Sequence, residues 1–223
     1  MRLYAVVEGE GEVSAVPVLL RRLVHDEAGC HYVQVGPPLR RRQHEFQRAE
    51  ALQKAVKLAA LQPDCAGVLV LFDGEDICPA QVGAQVLGWA REAAGTVPCE
   101  VVVAYREYET WFLAALESLR GRCRIAPDAH APTDPEARRN AKGELETHMP
   151  AGASYSPTIH QARLTAALDL GQVHRRSRSF RKLTKAVGSL LTGMGQALPA
   201  WPPAHWSDGE PTATGRNDDN GSS

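Results

Sequence analysis

Four β-like runs, spaced at the intervals of βα units, constrain this chain more than any other feature. They are Leu3-Tyr4-Ala5-Val6-Val7, His31-Tyr32-Val33-Gln34-Val35, Gly67-Val68-Leu69-Val70-Leu71-Phe72 and Glu100-Val101-Val102-Val103-Ala104. Nearly continuous apolar runs predict strands covered on both faces, the condition of a parallel sheet. Helical spacing fills the gaps between them. Val13, Val16, Leu20, Leu23 and Val24 share one face, and Phe46, Ala49, Leu52 and Val56 share another. A third helix is expected from Ala80 to Ala94, stopped by Gly95. Pro17 fits the first helix if it lies in the opening turn. The expected class is α/β, a mainly parallel sheet with flanking helices.

The chain has 223 residues, 43% hydrophobic and 23% charged, which is enough to bury a real core. No apolar run is long enough to span a bilayer. The opening MRLYAVVEGEGE runs straight into three glutamates, unlike a secretory signal, so a cytoplasmic protein is expected. Cys30, Cys65, Cys78, Cys99 and Cys123 are scattered without a C-x-x-C pair and are expected to be buried thiols. The pattern changes after Leu119. Residues 120–156 are polar and aperiodic, with Pro127, Pro132, Pro135 and Pro150, as in a functional loop or inserted subregion. Helical pattern returns at 158–164 and 179–191. Three segments are expected: an α/β core at 1–119, a basic loop and C-terminal helical subregion at 120–198 packed on it, and a disordered tail at 199–223, its start pinned by Trp201 and Trp206.

Charge follows the same division. Lys+Arg 25 against Asp+Glu 26 leaves a net charge of -1, which argues against a uniformly basic nucleic-acid binder. By segment, however, residues 1–119 carry -5, residues 120–198 carry +7 and the tail carries -3. An acidic α/β half beside a basic half suits a metal centre next to a phosphate-binding surface.

Ligand sites of open parallel sheets lie beyond the carboxyl ends of the strands. Three of the four runs end there in acids: Glu8, Glu10 and Glu12 after the first, Asp73, Glu75 and Asp76 after the third, Glu107 and Glu109 after the fourth. Converging carboxylates repel unless a cation compensates them, and hard oxygen donors select Mg²⁺ or Mn²⁺. Glu10 and Glu12 have a second possible role as caps of the following helix, as does Glu107. Trp111 and Phe112 are expected in the core. The string Gly9-Glu10-Gly11-Glu12-Val13-Ser14 lacks the third glycine of a dinucleotide fingerprint, and its glutamates would repel a pyrophosphate. There is no P-loop motif either.

The stretches VVEGEGE, VLVLFDGED, AYREYETWFLAALESLRG, KGELETHMPAGASYSPTIHQARLTAALDL and RSFRKLTKAV resemble the bacterial domain-of-unknown-function family 4276, grouped with Toprim-like proteins. They cover most of residues 3–190. The resemblance implies a Toprim/Rossmann-like fold with Glu8 as general acid/base and Asp73 with Glu75 holding Mg²⁺. Asp76, adjacent to Glu75, is the alternative second acid of that motif. Glu12 and Glu107 are further candidate ligands. His160 departs from the pattern, which leads one to expect an acid before Gln161.

The run His174 to Lys182 supplies Arg175, Arg176, Arg178, Arg181 and Lys182 with no acid among them. It reads either as a phosphate-contacting patch or as cations on a solvated helix face neutralising the acidic half. Lys142, His148 and Tyr155 are candidates for placing substrate. Three functions follow as expectations. The first is a Mg²⁺-dependent phosphodiester hydrolase acting on DNA or RNA, with a place in phage defence. The others are a non-catalytic partner of a separately encoded ATPase, and a nucleotide-processing phosphohydrolase. No membrane partner is expected.

Overall fold

A computed structural model of the chain describes residues 1–75, 77 and 79–207. Among them are β1 (Arg2–Val7), β2 (Gln34–Val35), β3 (Leu39–Arg40), β4 (Cys65–Asp73) and β5 (Cys99–Ala104). The sheet order is β2-β1-β4-β5, with β3 also on β1, and the pairings are parallel. The expected α/β class is therefore observed. Both faces of the sheet are covered, and the side-chain alternation of the strands shows why their sequences are apolar throughout. Leu3, Ala5 and Val7 join one buried cluster with Leu69, Leu71, Val102 and Ala104, whereas Tyr4 and Val6 join the other with Val68, Val70, Phe72, Val101 and Val103.

The second strand is shorter than its sequence suggests. Only Gln34 and Val35 pair with β1, while His31–Val33 form a turn closed by Val33 N–H donating to the Cys30 carbonyl at 3.1 Å. Pro37 and Pro38, lacking N–H donors, interrupt the ladder, and pairing resumes at Leu39–Arg40 against Val6–Val7.

Helix α1 (Glu10–Arg21) starts directly after β1 and holds Pro17 in its interior, not in its first turn. The ring removes the N–H that would bond the Val13 carbonyl. The helix then widens into a π-helical turn at Arg22–Glu27, where Ala28 N–H reaches the Leu23 carbonyl at 3.0 Å. The second expected helix is divided into α2 (Gln43–Phe46) and α3 (Ala49–Ala60). Helix α4 (Pro79–Ala94) ends where expected, with Gly95 in the left-handed region at φ +65.

Helices α5 (Thr110–Ala114), α6 (Ala141–Thr147), α7 (Ala162–Ala167), α8 (Leu170–Arg176) and α9 (Arg178–Gly193) follow. Helix α6 lies within the stretch read as aperiodic, and the Asn140 side chain caps it by accepting from Gly143 N–H at 2.9 Å. Polar groups lock the later helices to the core. Trp111 Nε1–H donates to Ser179 Oγ at 3.0 Å, and buried Glu136 accepts from Ser177 Oγ–H at 2.8 Å and Ser179 N–H at 3.1 Å. Trp111 and Phe112 are fully buried, as expected. Trp206 is buried as well, and Trp201 Nε1–H donates to the Thr184 carbonyl at 2.7 Å, so these two side chains anchor the stretch after α9 to the body. Cys30 and Cys99 are buried free thiols, Cys65 and Cys123 are half-buried, and Cys78 lies outside the described residues. Among the described residues no helix is long and apolar enough to cross a membrane.

The segment 157–161 docks against α1 at Gly11. A methyl group there would strike Pro157 and the Gln161 side chain. Gly11→Ala is therefore expected to lower stability by about 1–3 kcal/mol, a loss measurable by denaturant unfolding.

Candidate functional site

Parallel strands deliver their carboxyl ends to one edge, and five carboxyl groups come with them: Glu8, Glu12, Asp73, Glu107 and Glu109. Glu8 follows β1, and its Oε2 accepts the Asp73 N–H at 3.2 Å, which ties the ends of β1 and β4 together. Glu12, on the first turn of α1, turns back so that Oε2 accepts from Glu8 N–H at 2.8 Å and Gly9 N–H at 3.1 Å. It is thus both a helix cap and a member of the cluster. Asp73 Oδ1 accepts from Tyr108 N–H at 2.8 Å, fixing the loop after β5.

That loop contributes Glu107 and Glu109. Glu107 Oε2 accepts from Lys142 N–H at 3.1 Å and lies 3.7 Å from Lys142 Nζ. Glu109 is fully buried. Its Oε1 accepts from Tyr155 O–H at 2.9 Å and Gln161 Nε2–H at 3.3 Å, while its Oε2 has no hydrogen-bond donor among the described residues and stands 3.7 Å from Lys142 Nζ. Helix α6 therefore inserts one ammonium group among the acids.

One ammonium does not balance the group. Burial pushes the Glu12 carboxyl up to about 7, against the stabilising N–H donors of Gly9 and Glu8 and with help from the charges of Glu8 and Glu109. Asp73 is raised well above the usual range by desolvation first, then by Glu12 and Glu109. Burial also raises Glu109, opposed by Lys142 and Tyr155, and raises Glu8, opposed by the Asp73 N–H. For Lys142 burial acts to lower the pKa, but Glu109, Asp73, Glu107 and Glu12 outweigh it and hold the ammonium charged. Mutually perturbed titratable groups gathered at a strand edge make this a candidate functional site.

The sequence candidates divide here. Glu8, Glu12, Asp73, Glu107 and Lys142 come together. Glu75 is exposed at φ +43, its backbone bonded to Arg106, and its carboxylate acts on Glu8 only through charge. Asp76 lies outside the described residues. Glu10 turns outward to Arg40 at 2.6 Å. In the basic run, Arg175 donates to the Trp206 carbonyl at 2.7 Å. Arg176 pairs with Glu117 at 2.8 Å, and Arg181 donates to the carbonyls of His174 and Arg175 at 3.0 and 2.9 Å. Arg178 and Lys182 remain exposed. His160 accepts from Ser156 N–H at 2.9 Å and stacks on Tyr155. Glu109 and Gln161 were not among the candidates, although Glu109 belongs to an acidic strand end visible in the sequence.

A hard divalent cation suits this donor set in kind. The carboxyl groups are oxygen donors, burial raises Glu8, Glu12, Asp73 and Glu109 so that their ionised forms lack compensation, and among the described residues Glu109 Oε2 is buried without a hydrogen bond. Among the described residues no group of three or more His, Cys, Asp or Glu side chains is already disposed to hold a metal ion. The donors fit such an ion; a closed coordination shell is not preformed.

The fold and this edge define an α/β protein with a parallel sheet and a buried carboxylate cluster at its carboxyl end. Residues 7–188 match the family described as a domain of unknown function (DUF4276), and the chain belongs to that family. No curated protein and no solved structure matches it.

Proposed function

We propose that the carboxylate edge is the active site of a Toprim-like, Mg²⁺- or Mn²⁺-dependent phosphodiester hydrolase. The observation that carries this reading is Glu109 Oε2, which among the described residues is buried without a hydrogen-bond donor and lies 3.7 Å from Lys142 Nζ. Asp73, Glu109 and Glu12 are the residues that would hold the ion. A divalent cation bound there supplies Lewis acidity and neutralises phosphoryl charge.

The chain's own groups do the rest. Glu8 is half-buried with its carboxyl raised above the usual range by burial, and it stands at the end of β1 beside Asp73, the position for a group that takes the proton of an attacking water. The water oxygen forms the new P–O bond, the ester P–O bond breaks, and the leaving alkoxide collects a proton from solvent or from Glu8. Lys142, held charged by its neighbours, places its ammonium beside the phosphoryl oxygens as charge develops. Tyr155 and Gln161 orient Glu109.

The test is cleavage of labelled DNA and RNA oligonucleotides with Mn²⁺, Mg²⁺ or EDTA. Cleavage is expected only with the ions, and Glu8→Gln is expected to lower the rate by about 10²–10⁴-fold without changing the melting temperature by more than a few degrees. No cleavage of either polymer, together with no rise in melting temperature on adding Mn²⁺, would overturn the proposal.

A further inference from the structure

We infer that the arginine run carried in by β3, Arg40-Arg41-Arg42, is the surface that grips the phosphodiester backbone of a nucleic-acid strand lying across the carboxylate edge. This deepens the reading above by assigning the polymer contact, and it rests on that reading for the class of substrate.

Three observations support it. The first is position. Arg41 N–H donates to the Val7 carbonyl at 2.8 Å and Arg40 Nε–H to the Glu8 carbonyl at 3.1 Å, so the run lies one strand spacing from the base Glu8. Phe46 of α2 stacks on Phe72 with ring centroids 4.7 Å apart, which seats the residues after the run next to Asp73. The second is rigidity. Arg41 N–H is bonded to the Val7 carbonyl at 2.8 Å and Arg42 N–H to Glu45 Oε2 at 2.7 Å, so the backbone of the run is fixed to β1 on one side and to α2 on the other.

The third is charge. Arg40 is neutralised by Glu10. Among the described residues Arg41 and Arg42 have no carboxylate within ion-pair distance, and Arg42 is exposed. In the dense run from Arg175 to Lys182, Arg176 is paired with Glu117, Arg175 and Arg181 donate to carbonyls as Arg41 does, and Arg178 and Lys182 are exposed, so that run is the comparison the experiment needs. A carboxylate edge repels phosphates, so a polyanion approaching it needs fixed cations alongside. Arg41 and Arg42 are placed to supply them, and guanidinium groups match phosphate oxygens in geometry.

The experiment measures binding, not cleavage, by fluorescence anisotropy of duplex DNA and duplex RNA of one sequence in EDTA. Salt is varied between about 50 and 200 mM. Proteins compared are the unaltered chain, Arg41→Ala/Arg42→Ala and Arg178→Ala/Lys182→Ala. The first pair is expected to reduce the slope of log K against log salt by about 2 on DNA, and to weaken binding by roughly tenfold or more. Equal slopes, a larger loss in the second pair, or no binding of either duplex by the unaltered chain at the lowest salt would overturn the inference. Loss on one duplex alone supports it and identifies the polymer. Because no turnover is read, a protein that binds through Arg41 and Arg42 yet never cleaves removes the catalytic reading and leaves this one standing.

Discussion

Asp73→Asn is expected to leave the protein folded, raise its melting temperature in EDTA, and lower Mn²⁺-dependent phosphodiester cleavage by about 10²-fold or more. The three effects have one cause. Asp73 is a desolvated acid whose carboxylate form is opposed by Glu12, Glu109 and Glu8. An asparagine keeps the oxygen that accepts the Tyr108 N–H, so the tie between β4 and the loop after β5 survives. Its amide removes one charge from a crowded group and adds a donor where donors are scarce. Relief of that repulsion is expected to contribute roughly 0.5–2 kcal/mol, a rise of a few degrees in a chain of this size, readable by differential scanning fluorimetry at pH 8. Asp64→Asn, at an exposed site away from this edge, should change neither quantity. A lower melting temperature for Asp73→Asn would mean that the carboxylate stabilises the fold, and the site reading would lose its main physical support.

The parts of this edge that sequence makes visible are those set by local pattern. An apolar run followed by acids announces Glu8 and Asp73, because strand length and side-chain alternation are short-range properties. Glu12 is legible too, three residues beyond its cap position, although sequence alone does not separate capping from metal binding. What is hidden depends on contacts between distant segments. Glu109 acquires its meaning from Tyr155 and Gln161, 46 and 52 residues downstream, and from a helix α6 too short to show a period. Strand β3 has two residues, no pattern of its own, and two prolines before it, yet it brings Arg40 to the Glu8 carbonyl and Arg41 to that of Val7. The run from Arg175 to Lys182 shows how contacts divide a group that a count of charges treats as one, with Arg178 and Lys182 left exposed. Charge is additive along a sequence, but carbonyl oxygens of neighbouring helices have already engaged Arg175 and Arg181.

In EDTA, the melting temperature of the unaltered chain is expected to fall relative to that of Glu12→Gln as pH rises from 5 to 8. Glu12 is 3% exposed and its carboxyl is raised from 4.5 to about 7 in the folded chain. A raised carboxyl means that the folded state keeps a proton the unfolded chain releases near pH 4.5, so ionisation favours unfolding throughout the interval between the two values. The penalty is absent below about pH 4.5, grows up to about 7 and is constant above it, reaching ~3 kcal/mol, or roughly 6–12 °C. Glutamine accepts the same N–H groups of Glu8 and Gly9 through its carbonyl and does not titrate. The difference between the two proteins therefore removes every contribution they share and leaves that of Glu12 together with its charge partners Glu8 and Glu109. Adding Mn²⁺ should remove most of the slope, because a cation favours every carboxylate in its ionised form, and its stabilising effect should be larger at pH 8 than at pH 5. A difference that stays constant across this range would show that Glu12 is solvated in the folded protein. The cluster would then lack the excess of buried negative charge that calls for a metal ion.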